Sequence, residues 1–197
     1  MPNIRTLPLG DYQTNCYILW GRDSSRCCVI DPGFQPEAVA QTLKDLGLTL
    51  EAILLTHGHF DHVGGVKALA ADTGCLVYLC PDDLSMPPII TDGPLYYTNP
   101  YGEGDRLHLA GLDICVLHTP GHTPGSVCLL TEDALFSGDT LFAGSCGRTD
   151  LPGGDWNTIR ASLARLAALE GDFRVYPGHG NATSLAYERR YNPYMGA

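Results

Sequence analysis

The order of strand-like and helix-like segments predicts an α+β or layered α/β fold. Up to residue 80, short apolar runs bounded by turn residues are interspersed with two segments of helical spacing. Four strand-like runs then follow one another before a long helical segment begins at residue 155. This order does not fit the regular alternation of a doubly wound sheet. We expect one domain covering residues 1–197, a length that suffices for a sizeable buried core.

The first part of the chain mixes predicted strands with predicted helices. Strands are predicted over residues 17–20, 27–30, 52–56 and 76–80, and helices over residues 36–46 and 66–73. In the first helix, Val39 and Leu43 fall on one face and Gly47 provides the stop signal. Residues 81–104 contain several prolines and little periodicity, which predicts a long loop.

The second part of the chain is strand-rich. Strands are predicted over residues 106–109, 113–118, 126–130, 134–137 and 173–176, and helices over residues 155–169 and 183–191. Ile159, Leu163 and Leu166 recur at helical spacing and form one apolar face. The sequence has neither a Gly-x-Gly-x-x-Gly nor a Walker loop, so it gives no support for nucleotide binding.

Composition and charge exclude several classes of partner. The formal net charge of −10 argues against nucleic acid, which would require a basic surface. No apolar run approaches the length that crosses a bilayer, so no membrane partner is expected. The first residues lack the features of a secretory signal, which favours a cytoplasmic location. The eight cysteines form no Cys-x-x-Cys pair, and we expect thiols rather than disulfides. The oligomeric state stays open.

Three of the seven histidines cluster within six residues, directly after the predicted strand 52–56. Alternate residues of an extended segment project to the same side, so His57 and His59 can reach one metal ion. Asp61 and His62 follow as the chain turns into a helix, and can face a second point close by. The cluster therefore predicts two neighbouring metal sites.

Three later strand ends each supply another donor beside a glycine: His122, Asp139 and His179. Imidazole and carboxylate suit zinc, iron or manganese. We predict two divalent transition-metal ions per chain, with zinc preferred. A lone histidine at a strand is usually structural, and His108 and His118 are interpreted in that way.

Together these motifs resemble the metallo-β-lactamase fold superfamily, from Asn15-Cys16-Tyr17 and the segment Ile30-Asp31-Pro32-Gly33 to the C-terminus. The resemblance implies a four-layer αβ/βα sandwich, with two mixed sheets flanked by helices and the metals at one edge. It also implies roles for the matching residues. The first metal would be held by His57, His59 and His122, the second by Asp61, His62 and His179, and Asp139 would bridge them.

Within the superfamily, residues 138–142 and the pair Gly147-Arg148 look like type II glyoxalases, the hydroxyacylglutathione hydrolases. Residues 148–155 are similar to their short bacterial relatives. This resemblance implies hydrolysis of S-lactoylglutathione or a related small thioester. True β-lactamases typically carry cysteine or serine where Asp61 and Asp139 stand here, so β-lactam hydrolysis is not expected.

The predicted ligand set implies a mechanism in which Asp61 and Asp139 are the catalytic carboxylates. Two divalent ions acidify a bound water, and the resulting hydroxide is the expected nucleophile. The two ions carry four positive charges, and the two carboxylates and one hydroxide carry three negative charges. The site is therefore net positive, which favours an anionic or polarised substrate. A thiol has a pKa of about 8.5 and departs as thiolate, whereas an amide would need protonation. Thioesters are therefore favoured over peptides.

Substrate contacts are less directly indicated. Type II glyoxalases carry a basic residue at the place of Arg148, which could hold a glutathione carboxylate. The alternative is that Arg148 pairs with Asp150 or Asp155. Long type II glyoxalases also have a basic C-terminal extension that this sequence does not match, so we expect the 81–104 loop to cover the pocket. The tyrosine pair in this loop, Tyr96 and Tyr97, provides the predicted contacts.

Two other functions stay open at this point. A persulfide dioxygenase of the same fold would use one iron held by His57, His122 and Asp139, and residues 147–150 also occur in that family. Residues 139–145 look like the hydrolases and favour the first interpretation. A metal-binding module without catalysis is the third possibility, and the full set of ligands argues against it.

Overall fold

The protein, described by a computed structural model over residues 1–196, is built on two six-stranded sheets. The first sheet contains, in spatial order, β1 (Asn3–Leu9), β2 (Thr14–Trp20), β3 (Arg26–Ile30), β4 (Thr49–Leu54), β5 (Leu76–Leu79) and β6 (Asn99–Pro100). The second contains, in spatial order, β14 (Thr183–Ser184), β13 (Arg174–Pro177), β10 (Ala134–Gly138), β9 (Val127–Thr131), β8 (Leu112–His118) and β7 (Arg106–Leu109). A separate hairpin joins β11 (Leu141–Phe142) to β12 (Ser145–Cys146).

Both sheets are mixed. In the first sheet, β1, β2 and β3 are antiparallel neighbours, and β3 to β6 are parallel. In the second sheet, β10 and β13 are parallel, and the other neighbours are antiparallel. These directions bring the carboxyl ends of β3, β4 and β5 to one edge of the first sheet. They bring the carboxyl ends of β8, β10 and β13 to one edge of the second.

Three apolar clusters separate four layers. The cluster between the sheets includes Leu19, Ile30 and Leu54 from the first sheet and Val116 and Phe136 from the second. The other faces of the sheets are covered by helices: α1 (Pro36–Leu46), α3 (Val66–Thr73), α5 (Trp156–Ala167) and α6 (Leu185–Tyr191). Short helices α2 (Phe60–Val63) and α4 (Pro88–Thr91) and a 3₁₀ helix (Pro81–Ser85) lie in the connections. The predicted αβ/βα sandwich is confirmed.

Local sequence signals set the ends of the two longest helices. Pro36 opens α1, and Gly47 ends it in a left-handed conformation with φ of 66°. Asp155 caps α5 by accepting a hydrogen bond from the Thr158 N–H at 2.7 Å. Within residues 1–196, no helix combines the length and apolarity needed to cross a membrane.

The structure corrects the interpretation of residues 81–104 as one irregular loop. This segment contains the 3₁₀ helix, α4 and β6. Pro81 and Pro88 each begin a helical turn, where a proline costs no hydrogen bond, and these turns are too short to show periodicity. Pro100 lies in an edge strand, where proline is tolerated.

One strand was missed, and one predicted helix begins at a different residue. Strand β1 was not predicted, because Arg5 and Thr6 are exposed and Pro8 interrupts a run that forms an edge strand. The predicted helix 183–191 begins two residues later. Its first two residues form β14, and Ser184 then caps α6 by accepting from the Tyr187 N–H.

Candidate metal centre

The predicted ligand residues lie at one edge of the sandwich, where strands of both sheets end. His57, His59, Asp61 and His62 follow β4, and His122 follows β8. Asp139 directly follows β10, and His179 follows β13. At this edge the two sheets are hydrogen-bonded to each other, since the Val127 N–H donates to the Thr56 carbonyl at 2.9 Å. The structure thus brings all seven side chains together.

The first group of donors comprises His57, His59 and His122. Each offers a ring nitrogen, and these three atoms lie within 4.8 Å of one another. His59 Nδ1 and His122 Nε2 are 2.9 Å apart. All three side chains are buried, so the group forms a compact nitrogen cluster of the kind that binds a transition metal.

The second group comprises Asp61, His62 and His179, whose donor atoms also lie within 4.8 Å of one another. His179 Nε2 is 3.2 Å from Asp61 Oδ2 and 3.4 Å from His62 Nε2. The His179 side chain is 28% exposed, whereas that of His62 is fully buried. The second group therefore faces the open side of the centre.

Asp139 lies between the two groups. One carboxylate oxygen, Oδ2, is 3.5 Å from His122 Nε2 and 3.5 Å from His179 Nε2. The other, Oδ1, is 3.5 Å from His62 Nε2. One carboxylate thus contacts donors of both groups, which is the position that a bridging ligand requires.

The donor atoms fit a metal because two of them have no other partner. His57 Nε2 and Asp139 Oδ1 are buried and have no hydrogen-bond partner among residues 1–196. Unpaired buried polar atoms are costly, and a metal ion would satisfy those that face it. Burial, and then the neighbouring imidazoles, lower the pKa of His57 well below its ordinary value and that of His59 to about 4. Both rings are therefore neutral, which is the form that binds metals.

The charges of the second group are complementary. Burial opposes the charged form of His62, but Asp139, Asp31 and Asp61 outweigh this effect and raise its pKa to about 9. Burial also disfavours ionised Asp61, yet hydrogen bonds from His179 and Thr14 and the charge of His62 hold its pKa well below the usual range. Asp61 is therefore ionised at neutral pH, and a metal would displace the proton of His62.

Asp31 fixes one histidine in each group, although the sequence singled it out only as part of a motif. Its Oδ2 accepts from Thr56 Oγ1 at 2.6 Å and from His62 Nδ1 at 2.9 Å, and its Oδ1 accepts from the Thr56 N–H. Because the Thr56 hydroxyl donates its hydrogen bond to Asp31, its oxygen is free to accept one from His57 Nδ1, at 3.1 Å. With a metal bound, both imidazoles would carry their proton on Nδ1 and direct Nε2 towards the centre.

Backbone carbonyls fix two further rings in the same way. His122 Nδ1 donates to the Arg148 carbonyl at 2.7 Å, and His179 Nδ1 donates to the Tyr12 carbonyl at 3.2 Å. Thr14 Oγ1 donates to Asp61 Oδ2 at 3.0 Å. These contacts join segments far apart in the chain, so no local sequence pattern could have indicated them.

The segment that carries His179 is anchored by residues at the start of β2. Asn15 Nδ2 donates to the Pro177 carbonyl at 3.0 Å and to the Gly180 carbonyl at 2.9 Å. Tyr17 Oη donates to the same Pro177 carbonyl at 2.6 Å. This gives a physical reason for the Asn15-Cys16-Tyr17 motif.

Two glycines allow close approach at the centre. A Cβ on Gly178 would collide with Asp139 Oδ1 and His62 Cε1, so only glycine leaves room for the carboxylate beside His179. A Cβ on Gly33 would collide with the Asp61 carbonyl. The backbone at both places is packed directly against ligand residues.

Asp83, in the 3₁₀ helix, joins the two loops that carry the first group. Its side chain is fully buried and accepts from the Gly58 N–H at 2.7 Å, between His57 and His59. It also accepts from the Gly125 N–H at 2.6 Å and from Thr123 Oγ1 at 3.1 Å, just after His122. Burial raises its pKa, although these hydrogen bonds act in the opposite direction. Asp83 was not among the predicted site residues, because it lies in the segment interpreted as a loop.

Replacing Asp83 with asparagine is expected to weaken metal binding without touching a ligand. One backbone N–H would then face an amide NH₂, at a cost of about 1–3 kcal/mol in the free energy of unfolding. We expect metal affinity to fall roughly 10–100-fold, which is the usual effect of replacing a residue that hydrogen-bonds to a ligand segment without binding the metal itself. Competition with a chromogenic chelator measures the affinity, and D72N, on the exposed face of α3, is the matched control. Unchanged affinity in D83N would show that Asp83 does not position the ligands.

None of the predicted substrate contacts has its side chain in the donor groups, although the Arg148 carbonyl accepts from His122. The Arg148 guanidinium is exposed and donates to both carboxylate oxygens of Asp150, at 2.7 and 2.8 Å, as in the alternative that the sequence left open. Tyr96 is exposed and lines a small cavity with Val63 and Lys67. Tyr97 packs against the cluster between the first sheet and its helices. Their contact with a substrate stays a prediction.

A family model, the metallo-beta-lactamase superfamily, matches residues 9–179. The chain is also similar over its length to the hydroxyacylglutathione hydrolase GloC of Haemophilus influenzae. The two are 35% identical over 210 aligned residues, which cover 98% of each protein.

Solved structures agree with this match. The BLEG-1 B3 metallo-beta-lactamase is 35% identical, with a TM-score of 0.90 over 99% of this chain and 100% of that one. TTHA1623, solved in a di-iron-bound form, is 41% identical, with a TM-score of 0.85 over 96% and 99%. ETHE1 from Myxococcus xanthus is 31% identical, with a TM-score of 0.82 over 97% and 83%. The chain therefore belongs to the metallo-beta-lactamase superfamily of metal-dependent hydrolases.

Proposed function

We propose that this protein is a dinuclear metal-dependent thioesterase that acts on S-lactoylglutathione or a related small thioester. The observation that carries the proposal is the position of Asp139, within 3.5 Å of donors in both groups. Full-length similarity to a hydroxyacylglutathione hydrolase supports the choice of substrate class. The single domain and cytoplasmic location expected from the sequence are part of this proposal.

In this proposal, each donor group holds one ion. His57, His59 and His122 would hold the first, Asp61, His62 and His179 would hold the second, and Asp139 would serve both; the closeness of these donors supports the assignment. When bound, the two ions supply an acidified water and a Lewis acid for the carbonyl oxygen. Zinc fits the nitrogen and oxygen donors, and the di-iron form of a 41% identical protein supports iron as an alternative.

The residues themselves define where a substrate enters. His57 and His62 are fully buried, so the back of the centre is closed to solvent. The partly exposed His179 ring marks the open side, and it contacts the Phe142 ring at a centroid distance of 6.2 Å and the Tyr12 carbonyl. A substrate carbonyl is therefore expected to approach past His179, beside an apolar ring that suits an uncharged acyl group.

The leaving group favours a thioester. A thiolate departs near neutral pH without help, because thiols have a pKa of about 8.5. Asp61 and Asp139 are the catalytic carboxylates of the proposal. The pKa of Asp61 is held low, so that residue cannot protonate an amine leaving group at neutral pH. This ionisation state disfavours amide substrates.

The first experiment is elemental analysis of protein purified without added metal. We expect about two ions of zinc, iron or manganese per chain, as a bridged dinuclear centre requires. A panel led by S-lactoylglutathione, with other small thioesters and a chromogenic β-lactam, then measures kcat/KM before and after chelation. Hydrolysis of a thioester that is lost on chelation and restored by metal supports the proposal. Turnover of the β-lactam alone would contradict it.

A persulfide dioxygenase is the second candidate function, and the similarity to ETHE1 supports considering it. It would use one iron held by His57, His122 and Asp139, which also lie together here. A content of about one iron ion per chain, with oxygen consumption on glutathione persulfide, would favour it over the hydrolase. The metal content and the co-substrate thus separate the two functions.

Replacing predicted substrate contacts should change KM rather than kcat. For Arg148→Ala, we expect KM for a glutathione thioester to rise about tenfold, the effect of losing one charged contact of about 1.4 kcal/mol. The double variant Y96F/Y97F tests the tyrosines through their hydroxyls while keeping their packing. Arg22→Ala, a distant surface arginine, is the control for charge. An unchanged KM would remove the residue concerned from the substrate site.

A further inference from the structure

A second cluster of metal-binding side chains lies at the same edge of the sandwich, outside the seven residues of the main centre. Cys80 follows β5, Asp82 lies in the first turn of the 3₁₀ helix, and His118 is the last residue of β8. A sulfur, a carboxylate oxygen and a ring nitrogen from these residues lie within 4.8 Å of one another. The carboxyl end of β5 in the first sheet and that of β8 in the second place them together.

We propose that Cys80, Asp82 and His118 form a separate site for one zinc ion. A thiolate together with imidazole and carboxylate is a typical zinc donor set, and the soft sulfur disfavours magnesium and calcium. Three protein ligands leave a fourth position. The Pro124 carbonyl oxygen, 2.8 Å from His118 Nε2, or a water can fill it.

The backbone holds these donors in place before any ion arrives. The His118 N–H donates to Glu103 Oε2 at 2.8 Å, and its carbonyl accepts from Arg165 Nη1 at 2.8 Å. Arg165 and Glu103 are themselves ion-paired. Both main-chain polar groups of His118 are therefore held by hydrogen bonds. A fixed ligand pays less conformational entropy on binding than a mobile one.

Solvent exposure increases across the cluster from Cys80 to His118 to Asp82. Cys80 is 4% exposed, whereas the side chains of His118 and Asp82 are 27% and 60% exposed. His118 Nε2 is 3.7 Å from Asp82 Oδ2, so the two are close without a direct hydrogen bond. The thiol lies at the inner end and the carboxylate at the outer end. An ion can thus enter from solvent and reach the sulfur.

Metal binding here is a proton exchange that balances. The Cys80 thiol releases its proton to solvent as the thiolate binds the ion. The His118 ring carries a proton on Nε2 that faces the Pro124 carbonyl. This proton leaves to solvent and Nδ1 takes one up, so the ring keeps one proton, Nε2 is free to bind the ion, and the only net proton released is that of Cys80. If no ion binds, His118 simply remains hydrogen-bonded to Pro124. The experiment must distinguish these two states.

The site connects two segments that also support the main centre. Asp82 adjoins Asp83, which accepts from Gly58 and Gly125, and Pro124 belongs to the loop of His122. An ion at the new site would join these segments to the end of β8. We therefore expect its occupancy to raise the melting temperature of the protein, because the ion binds only the folded arrangement.

Cobalt offers a specific probe of the site. The main centre offers only nitrogen and oxygen donors, so a near-ultraviolet charge-transfer band from thiolate to cobalt would report a sulfur ligand elsewhere. Protein with its main centre already loaded is titrated with Co²⁺ and followed by absorbance and by melting temperature. We expect the band to appear with about one further ion per chain. Its result does not depend on which reaction the main centre catalyses.

The variants assign the band to the cluster. Cys80→Ser should abolish the band. His118→Gln removes a ligand, so it should weaken cobalt binding by more than the roughly 10–100-fold that follows the loss of a residue which only supports a ligand. Cys115→Ser, a partly buried thiol on the same strand as His118, is the matched control and should keep the band. If Cys80→Ser does not fold, His118→Gln alone decides. Absence of the band in the wild type, or its persistence in both cluster variants, would overturn the proposal.

Discussion

Replacing Asp139 with alanine is expected to abolish turnover and to lower metal occupancy at both donor groups. Its Oδ2 lies 3.5 Å from His122 Nε2 and from His179 Nε2, and its Oδ1 lies 3.5 Å from His62 Nε2. Removing a shared carboxylate withdraws one negative charge from between two cations. The loss of several kcal/mol of transition-state stabilisation corresponds to a fall in kcat/KM of about a thousandfold or more.

Elemental analysis and a metal-competition assay distinguish a bridging carboxylate from a ligand of one ion. Asp139→Ala should reduce occupancy of both ions, whereas His179→Ala should reduce that of the second ion alone. Asp113→Ala removes an exposed carboxylate that is paired with His108, and it serves as the control for lost charge. An Asp139→Ala protein that still binds one ion at wild-type affinity would exclude the bridging role.

Replacing Asp31 with asparagine should affect both groups without removing a ligand. The carboxylate accepts three hydrogen bonds, from the Thr56 N–H, Thr56 Oγ1 and His62 Nδ1. An amide offers one acceptor oxygen, so one donor would face an NH₂ group. The free energy of unfolding should fall by about 1–3 kcal/mol, because the donors are buried. The affinity for metal should fall roughly 10–100-fold.

The distinguishing result is an effect at both ions. Asp31 holds His62 directly and His57 through Thr56 Oγ1, so the two groups depend on the same carboxylate. Thr56→Val removes only the path to His57, and should therefore weaken the first ion more than the second. Calorimetric titration of metal-free protein, with urea unfolding in parallel, measures both quantities. If Asp31→Asn lowers stability but leaves both affinities unchanged, Asp31 is a structural residue and does not position the ligands.

Each of the seven candidate donors is marked locally in the sequence, and the structure brings them together. His57 and His59 alternate on one short segment, and His122, Asp139 and His179 each follow a strand beside a glycine. A strand end is visible in sequence as the place where an apolar run meets a turn. The layered fold was predictable for the same reason, since its longer elements carry their periodicity and their caps with them.

Elements without such signals were missed. Strand β1 is an edge strand whose polar residues face solvent, so its apolar alternation is weak. The 3₁₀ helix and α4 are each a single turn, too short for a period of 3.6 to appear. Prolines there begin the turns, although the same residues in sequence suggested an irregular loop.

The sequence by itself thus determined the fold class and marked the seven candidate donors, together with the chemistry that they would allow. Only the tertiary structure decided how those donors are held: Asp31 and Asp83 each join ligand segments 25 or more residues away in the chain, and Thr14 reaches Asp61 across 47. It also decided that Cys80, Asp82 and His118 meet. The reason is physical. Ligand identity resides in single side chains, whereas orientation depends on hydrogen bonds between segments that become neighbours only when both sheets have formed.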